Sequence, residues 1–316
     1  MTWPAALVAA LLVLGVGTAP PALAESRAAT SCAAATNAGH DIQLDVQYAN
    51  AAGTRIAWAA VGEGEPLLLL NGTGSPMAEW DPALLAHLAA DRRVFVFDYP
   101  GLGLSGAAPA PLRFPAIADW AADLIDALGL DAPDVLGWSM GGFIAQQLAI
   151  RHPDSVRRLV LAGTNPGGTR AVLGPTWVQE ADSDAGGSIS TYLATNYPKT
   201  TCAQRAGREF VQRLTRAVNS GRYPDESVPA RTYNAMVAAE DPWLESNANE
   251  RRLASVRAPT LVITGDHDVI TPPANSRVIA ERIPGAQLRL VDGAGHSFLF
   301  QRPARVARII LDFLNG

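Results

Sequence analysis

The chain has 316 residues, 48% of them hydrophobic and 17% charged, and carries a formal net charge of −5. That composition suits a globular protein with a sizeable core, arranged as one large α/β domain or two small ones. The mild negative charge and the lack of a basic stripe argue against nucleic acid as a partner.

Residues 1–24 read as a signal peptide. Ala5 to Gly17 is almost wholly apolar, Pro20-Pro21 breaks the run, and Ala22-Leu23-Ala24 places small residues before Glu25. No Lys or Arg precedes the apolar stretch. The alternative is an N-terminal membrane anchor, but the run is short of the about 20 residues a span needs. Export, cleavage and no lasting membrane span are therefore expected, placing the protein outside the cytoplasm. In that setting the two cysteines, Cys32 and Cys202, are expected to pair, the alternative being two unpaired thiols. Neither has a His at metal-ligand spacing, so no metal is expected. Residues 25–39 are small and polar and read as a flexible lead-in.

Strand-like runs follow. Ile42 to Val46 alternates apolar and polar residues, as does Arg55 to Trp58. Leu67 to Leu70 and Val94 to Phe97 are short and continuously apolar, which suits central strands covered on both faces. Ile117, Trp120, Ala121, Leu124, Ile125 and Leu128 recur at helical spacing up to Gly129. Val135-Leu136 is a short strand, and Gly142 to His152 is a helix stopped by Pro153. Further strands are expected at 158–162, 260–263 and 287–291, and a last helix from Val306 to Leu314. Alternating strands and helices imply an α/β fold: a mostly parallel central sheet with helices on both faces. The alternation stops between Asn165 and Arg252. That stretch is expected to be a largely helical cap, 165–252, inserted into a core made of 40–164 and 253–316.

Gly137-Trp138-Ser139-Met140-Gly141 fits G-x-S-x-G between a strand and a helix. A serine on so sharp a turn is strained and exposed, and side chains two residues either way would meet the neighbouring backbone. A serine hydroxyl needs a base. His296, in Gly293-Ala294-Gly295-His296 after the last strand, is the best placed of five histidines; His152 ends a helix, His40 and His87 lie in the lead-in and on a helix, and His267 competes weakly. The base needs a carboxylate, and both Asp266 and Asp268 qualify by type. Oxyanion donors are expected from the backbone N–H of Met140 and, in the glycine-rich loop Asn71-Gly72-Thr73-Gly74, of Thr73. Asn71-Gly72-Thr73 also matches a glycosylation sequon, an unsuitable place for a glycan if the loop faces an active site. Gly101-Leu102-Gly103-Leu104-Ser105-Gly106 matches G-x-G-x-x-G, but prolines follow where a dinucleotide site needs a helix, so no NAD or FAD is expected.

Taken in order, these motifs resemble the α/β-hydrolase superfamily, over about Asp41 to Leu314. The matching parts are the Asn71–Gly74 loop, Asp98-Tyr99-Pro100-Gly101-Leu102-Gly103-Leu104-Ser105 (D-x-x-G-x-G-x-S), the elbow at Ser139, and the loops of Asp268 and His296. The family's G-x-x-D-x-x-x-P acid loop falls on Gly265, Asp268 and Pro272, and so selects Asp268 over Asp266. Gly-Trp-Ser-Met-Gly-Gly is similar to the esterase and cofactor-free haloperoxidase branch. The chain has Asn71-Gly72 where the family often has His-Gly, and Ser139 departs from the aspartate-nucleophile dehalogenases and epoxide hydrolases. The resemblance implies a Ser139–His296–Asp268 triad, without cofactor, cleaving an ester-like bond of a small apolar substrate. The same triad acting on an amide, lactone or C–C bond, or a non-catalytic binding protein, are the alternatives. Composition and motifs leave the oligomeric state open.

Overall fold

A computed structural model describes residue 39 and residues 41–108, 112–182 and 187–316. The predicted signal peptide, nearly all of the lead-in, His40 and Cys32, the expected partner of Cys202, lie outside the described residues.

Eight strands form one sheet: β1 (Gln47–Ala51), β2 (Thr54–Val61), β3 (Glu65–Leu70), β4 (Arg92–Phe97), β5 (Asp134–Trp138), β6 (Leu159–Ala162), β7 (Thr260–Gly265) and β8 (Gln287–Val291). Their order is β1-β2-β4-β3-β5-β6-β7-β8. β1, β2 and β4 pair antiparallel, and every pairing from β4 through β3 to β8 is parallel. The continuous apolar runs lie in the middle because helices cover both faces. Leu67, Leu69, Val94, Val96, Leu136, Val160 and Leu261 face one side, packed with α1 (Pro82–Ala89) and α12 (Pro303–Asn315). Leu68, Leu70, Phe95, Phe97, Val135, Leu159 and Val262 face the other, packed with α2 (Phe114–Ala127), α3 (Met140–Arg151) and α10 (Pro273–Arg282). The period of two in each strand thus sorts its side chains between two cores. α2 ends as its sequence predicts, with Gly129 at φ +64°.

One predicted strand is displaced. Residues 42–46 form no ladder, and β1 starts at Gln47. The register is set by a two-residue hairpin, Ala52-Gly53, whose φ values of 55° and 69° match the sheet's twist and pair Ala51 with Thr54. The alternation in 42–46 has a different cause. Leu44 is buried and its N–H donates to the Arg222 carbonyl at 2.9 Å, so the segment is tied to a distant loop, not to a strand.

Between β6 and β7 the described residues hold no strand. They form α4 (Thr176–Asp182), α5 (Ile189–Asn196), α6 (Thr201–Asn219), α7 (Ala230–Ala238), α8 (Glu240–Glu245) and α9 (Ala248–Arg252). α6 buries Ala203, Gly207, Phe210, Val211, Leu214 and Ala217, a stripe at helical spacing. Phe210 stacks on Phe300 of α11 (Phe298–Gln301), with ring centroids 4.5 Å apart. Arg213 holds Asp81 through two bonds of 2.8 and 2.6 Å. Asp81 is fully buried and also caps α1 by accepting from the Ala83 N–H. Losing either partner would strand a buried charge, at a cost of about 3–5 kcal/mol.

Candidate active site

β3 leads outward to β4 on one side, and the chain then returns to pair β5 on the other. Loops after neighbouring strands diverge at such a switch point, opening a crevice beyond their carboxyl ends. The loop after β3 and the turn after β5 are the two segments the sequence singled out.

Ser139 stands between β5 and α3 with φ 55° and ψ −122°. A non-glycine residue in that region stores about 1–3 kcal/mol of strain. The strain is held by the main chain: the Ser139 N–H donates to Ala162 O at 2.9 Å, and Ser139 O accepts from the Gly142 N–H at 2.8 Å. The glycines have steric causes. A Cβ on Gly137 would collide with the Gly141 carbonyl, and one on Gly141 with the Leu70 carbonyl. α3 therefore lies hard against the ends of β3 and β5. Met140 opens that helix, so its N–H is among those without an intrahelical acceptor.

Asp268 and His296 meet. His296 Nδ1 lies 2.8 Å from Asp268 Oδ2, and both residues are 3% exposed. The carboxylate is oriented from several sides. Oδ1 accepts from the N–H groups of Ile270 and Thr271 at 3.0 and 2.9 Å, and Oδ2 accepts from the hydroxyl of Thr271 at 2.9 Å. Trp138 fixes the imidazole from behind, with ring centroids 5.4 Å apart and its indole N–H donating to the His296 carbonyl at 3.2 Å. The rivals are placed elsewhere. Asp266 is exposed and accepts from the Ala294 N–H, the turn-residue role its type allows. His267 is exposed, His152 sits 2.7 Å from Asp119 Oδ1, and His87 lies on α1.

The loop after β3 is tightly folded. Asn71 is buried and donates to Pro76 O at 2.7 Å, which leaves no room for a glycan at the sequon. Tyr99 donates its hydroxyl proton to Asn71 O at 3.1 Å. The Thr73 hydroxyl donates to Glu240 Oε1 of α8 at 3.1 Å. Among the described residues the Thr73 N–H meets no backbone acceptor. The D-x-x-G-x-G-x-S turn is a brace and opens no helix; the next helix, α2, begins at Phe114. Asp98 accepts from the N–H groups of Met77 and Leu104, each at 2.8 Å, while Ser105 bridges Asp98 O and the Ala57 N–H.

Ser139 and His296 line one cavity, together with Thr73, Glu79, Tyr192 and Tyr233. Three acidic residues here escaped the sequence reading: Glu79, Glu226 and Glu240. Glu79 lies in the 3₁₀ turn Met77–Glu79, and burial pushes its carboxyl up to about 7 against the opposing hydrogen bond from Ser75. Glu226 is 3% exposed, accepts from the Ala78 N–H at 3.0 Å, and shares a hydrogen bond with Asp98. Two carboxyls can share such a bond only with a proton between them. No local pattern marked these residues: Glu226 and Glu240 act through partners far along the chain, and Glu79 through its burial. Among the described residues no group of His, Cys, Asp and Glu is arranged to hold a metal ion.

A model of the alpha/beta hydrolase fold family matches residues 65–303. The chain belongs to the α/β-hydrolase superfamily and is a hydrolase. It is 32% identical over 267 residues to the poly(3-hydroxyalkanoate) depolymerase of Ectopseudomonas oleovorans, covering 79% of this chain and 84% of that protein. It is 31% identical to the pimeloyl-acyl-carrier-protein methyl ester esterase of Aromatoleum aromaticum, covering 79% and 98% respectively. An alpha/beta hydrolase fold protein from Chitinophaga pinensis superimposes with a TM-score of 0.75 at 26% identity, over 89% of this chain and all (100%) of that one.

Proposed function

We propose that the chain is a serine esterase acting on a small substrate, with Ser139 as nucleophile, His296 as base and Asp268 as the orienting acid. One observation carries the reading: a strained serine shares a cavity with a buried histidine whose Nδ1 is held 2.8 Å from a buried carboxylate. The Nδ1–H donated to Asp268 leaves Nε2 as the acceptor for the serine proton. Ser139 Oγ adds to the ester carbonyl as His296 takes that proton. The N–H groups of Met140 and Thr73 receive the oxyanion. His296 then protonates the departing alcohol as its C–O bond breaks. Water attacks the acyl-enzyme, its proton passes to His296, and the acid leaves as Ser139 regains its proton. An ester is preferred to an amide because a relative 31% identical is named for cleaving a methyl ester.

Ser139→Ala and His296→Ala should each lower kcat for a short-chain p-nitrophenyl ester by at least about 10³-fold with an unchanged Tm. Turnover surviving in both variants would sink the triad. Export is part of the same reading, supported by the apolar Ala5–Gly17 run and the Ala-Leu-Ala site. Protein recovered from the culture medium or periplasm should begin at Glu25; a retained Met1 would refute cleavage.

A further inference from the structure

Glu79 is the one carboxyl among the described residues that line the Ser139 cavity. It is 8% exposed, and its Oε2 is buried without a hydrogen-bond partner among the described residues. Such an atom ordinarily costs about 1–3 kcal/mol and needs a reason. The side chain is also firmly presented. Each N–H of its turn has an acceptor: Met77 on Asp98, Ala78 on Glu226, and Glu79 itself on Pro76 O at 3.0 Å. The mechanism above uses none of this. Among the described residues no lysine or arginine lines the cavity to balance a carboxylate; the neighbouring walls are Ser75, Thr191, Tyr192 and Asn196. The pocket therefore offers a polar patch beside the nucleophile.

We propose that Glu79 is a specificity-determining residue that hydrogen-bonds a hydroxyl group of the substrate, making hydroxyl-bearing esters the preferred class. The inference rests on the esterase reading of Ser139. A hydroxyl fits better than an ammonium group. It donates to a carboxylate and accepts from a carboxylic acid, so it pairs with Glu79 in either state. A carboxyl pushed up to about 7 presents both states near neutral pH. An ammonium group would need the ionised form alone and would itself be buried with a single partner. A purely alkyl substrate would leave the carboxyl's Oε2 unpaired, which is how polar pockets reject analogues that lack a hydrogen-bonding group.

The test compares kcat/KM for matched ester pairs: p-nitrophenyl 3-hydroxybutyrate against p-nitrophenyl butyrate, and 2-hydroxyethyl butyrate against propyl butyrate. The first pair places the hydroxyl on the acyl side and the second on the alcohol side. The wild type should favour the hydroxylated member of at least one pair by about tenfold or more. Glu79→Gln, which keeps hydrogen-bonding capacity, should retain most of that preference. Glu79→Met, of similar length but apolar, should abolish it and leave the alkyl ester cleaved as fast or faster. A structural role alone would lower both members of a pair equally. No preference in the wild type, or an equal preference in Glu79→Met, would overturn the proposal. Fluorophosphonate labelling of Ser139 separates the two levels. A labelled Ser139 with an unmoved ratio overturns the Glu79 assignment alone, whereas a wild-type Ser139 that fails to label overturns the esterase reading beneath it.

Discussion

The cavity has two kinds of wall. On one side stand the strand-end loops of the sheet, carrying Ser139, Asp268 and His296. On the other stand Thr191, Tyr192 and Asn196 of α5 and Tyr233 of α7. In the first wall the acid is set by short-range bonds, the four donors on Asp268, one of them weaker, from Thr264 at 3.3 Å, while the base is held from further along the chain by Asp268 and by the Trp138 indole N–H. The second is held by contacts that span the chain: Arg213 on Asp81, Glu226 on the Ala78 N–H, and Glu240 on the Thr73 hydroxyl. The two walls are joined beside the base: Tyr192 shares a 2.9 Å hydrogen bond with the Ser297 hydroxyl, which lies next to His296, and Asn196 accepts from that hydroxyl at 2.9 Å and from the Ser297 N–H at 3.2 Å.

The largest expected effect lies within the first wall. Asp268→Asn should keep the fold but misdirect the imidazole tautomer, lowering kcat by about 10⁴-fold. Asp266→Asn should change kcat less than about threefold, since its carboxylate only receives the Ala294 N–H at a surface turn. The pair is measured by kcat on one ester and by Tm. Equal losses in the two variants would mean that the carboxylate touching His296 is not the one that orients it.

The same contrast explains what could be read from the chain. Leu67–Leu70, the Ser139 elbow and the Asp268 loop are local patterns, and the sheet uses each within a few residues of where it is written. Asp268 and Asp266 are indistinguishable by residue type; only the resemblance to the family's G-x-x-D-x-x-x-P loop, falling on Gly265, Asp268 and Pro272, separated them, and of the two it is Asp268 that is buried. The segment 42–46 misled because burial at every second residue is a property of strands, yet Leu44 obtains it by packing beneath a distant loop. Glu79, Glu226 and Glu240 were silent for the converse reason. An isolated Glu in a turn or short helix is ordinarily a solvated residue, and only the folded chain supplies the partners that bury it.

A middle-sized effect concerns how the second wall is fastened. Burial, reinforced by the neighbouring Asp98, raises the Glu226 carboxyl from 4.5 to about 10, and Asp98 is itself raised by burial. The native state therefore keeps a proton that the unfolded chain has released across that window. Stability contributed by the shared proton is complete below about pH 4.5 and declines as pH rises towards 10, by at most about 1.4 kcal/mol per pH unit. Glu226→Gln supplies a permanent donor in place of the acid. Thermal unfolding followed from pH 8 to 10, above the Glu79 transition near 7, should show a steep decline in the wild type and a flatter one in the variant. Parallel slopes would show that the pair releases its proton without consequence for the fold.

The smallest effect lies at a second place where the two walls touch. Thr73 serves the core through its backbone N–H, proposed as an oxyanion donor, and α8 through its hydroxyl, which donates to Glu240 at 3.1 Å. Thr73→Val keeps the shape and the N–H but removes the hydroxyl. If the bond to Glu240 merely decorates the cavity, kcat and KM should both stay within error. If it holds the loop in register, the N–H is displaced in the transition state more than in the ground state, so kcat should fall about three- to tenfold while KM changes little. Thr73→Ser, which restores the hydroxyl, should recover the rate, and Glu240→Gln, which keeps an acceptor oxygen, should lie between. A loss of kcat in Thr73→Val that serine does not rescue would assign the effect to packing of the methyl group. Rescue would mean that α8 tunes the rate through one hydroxyl.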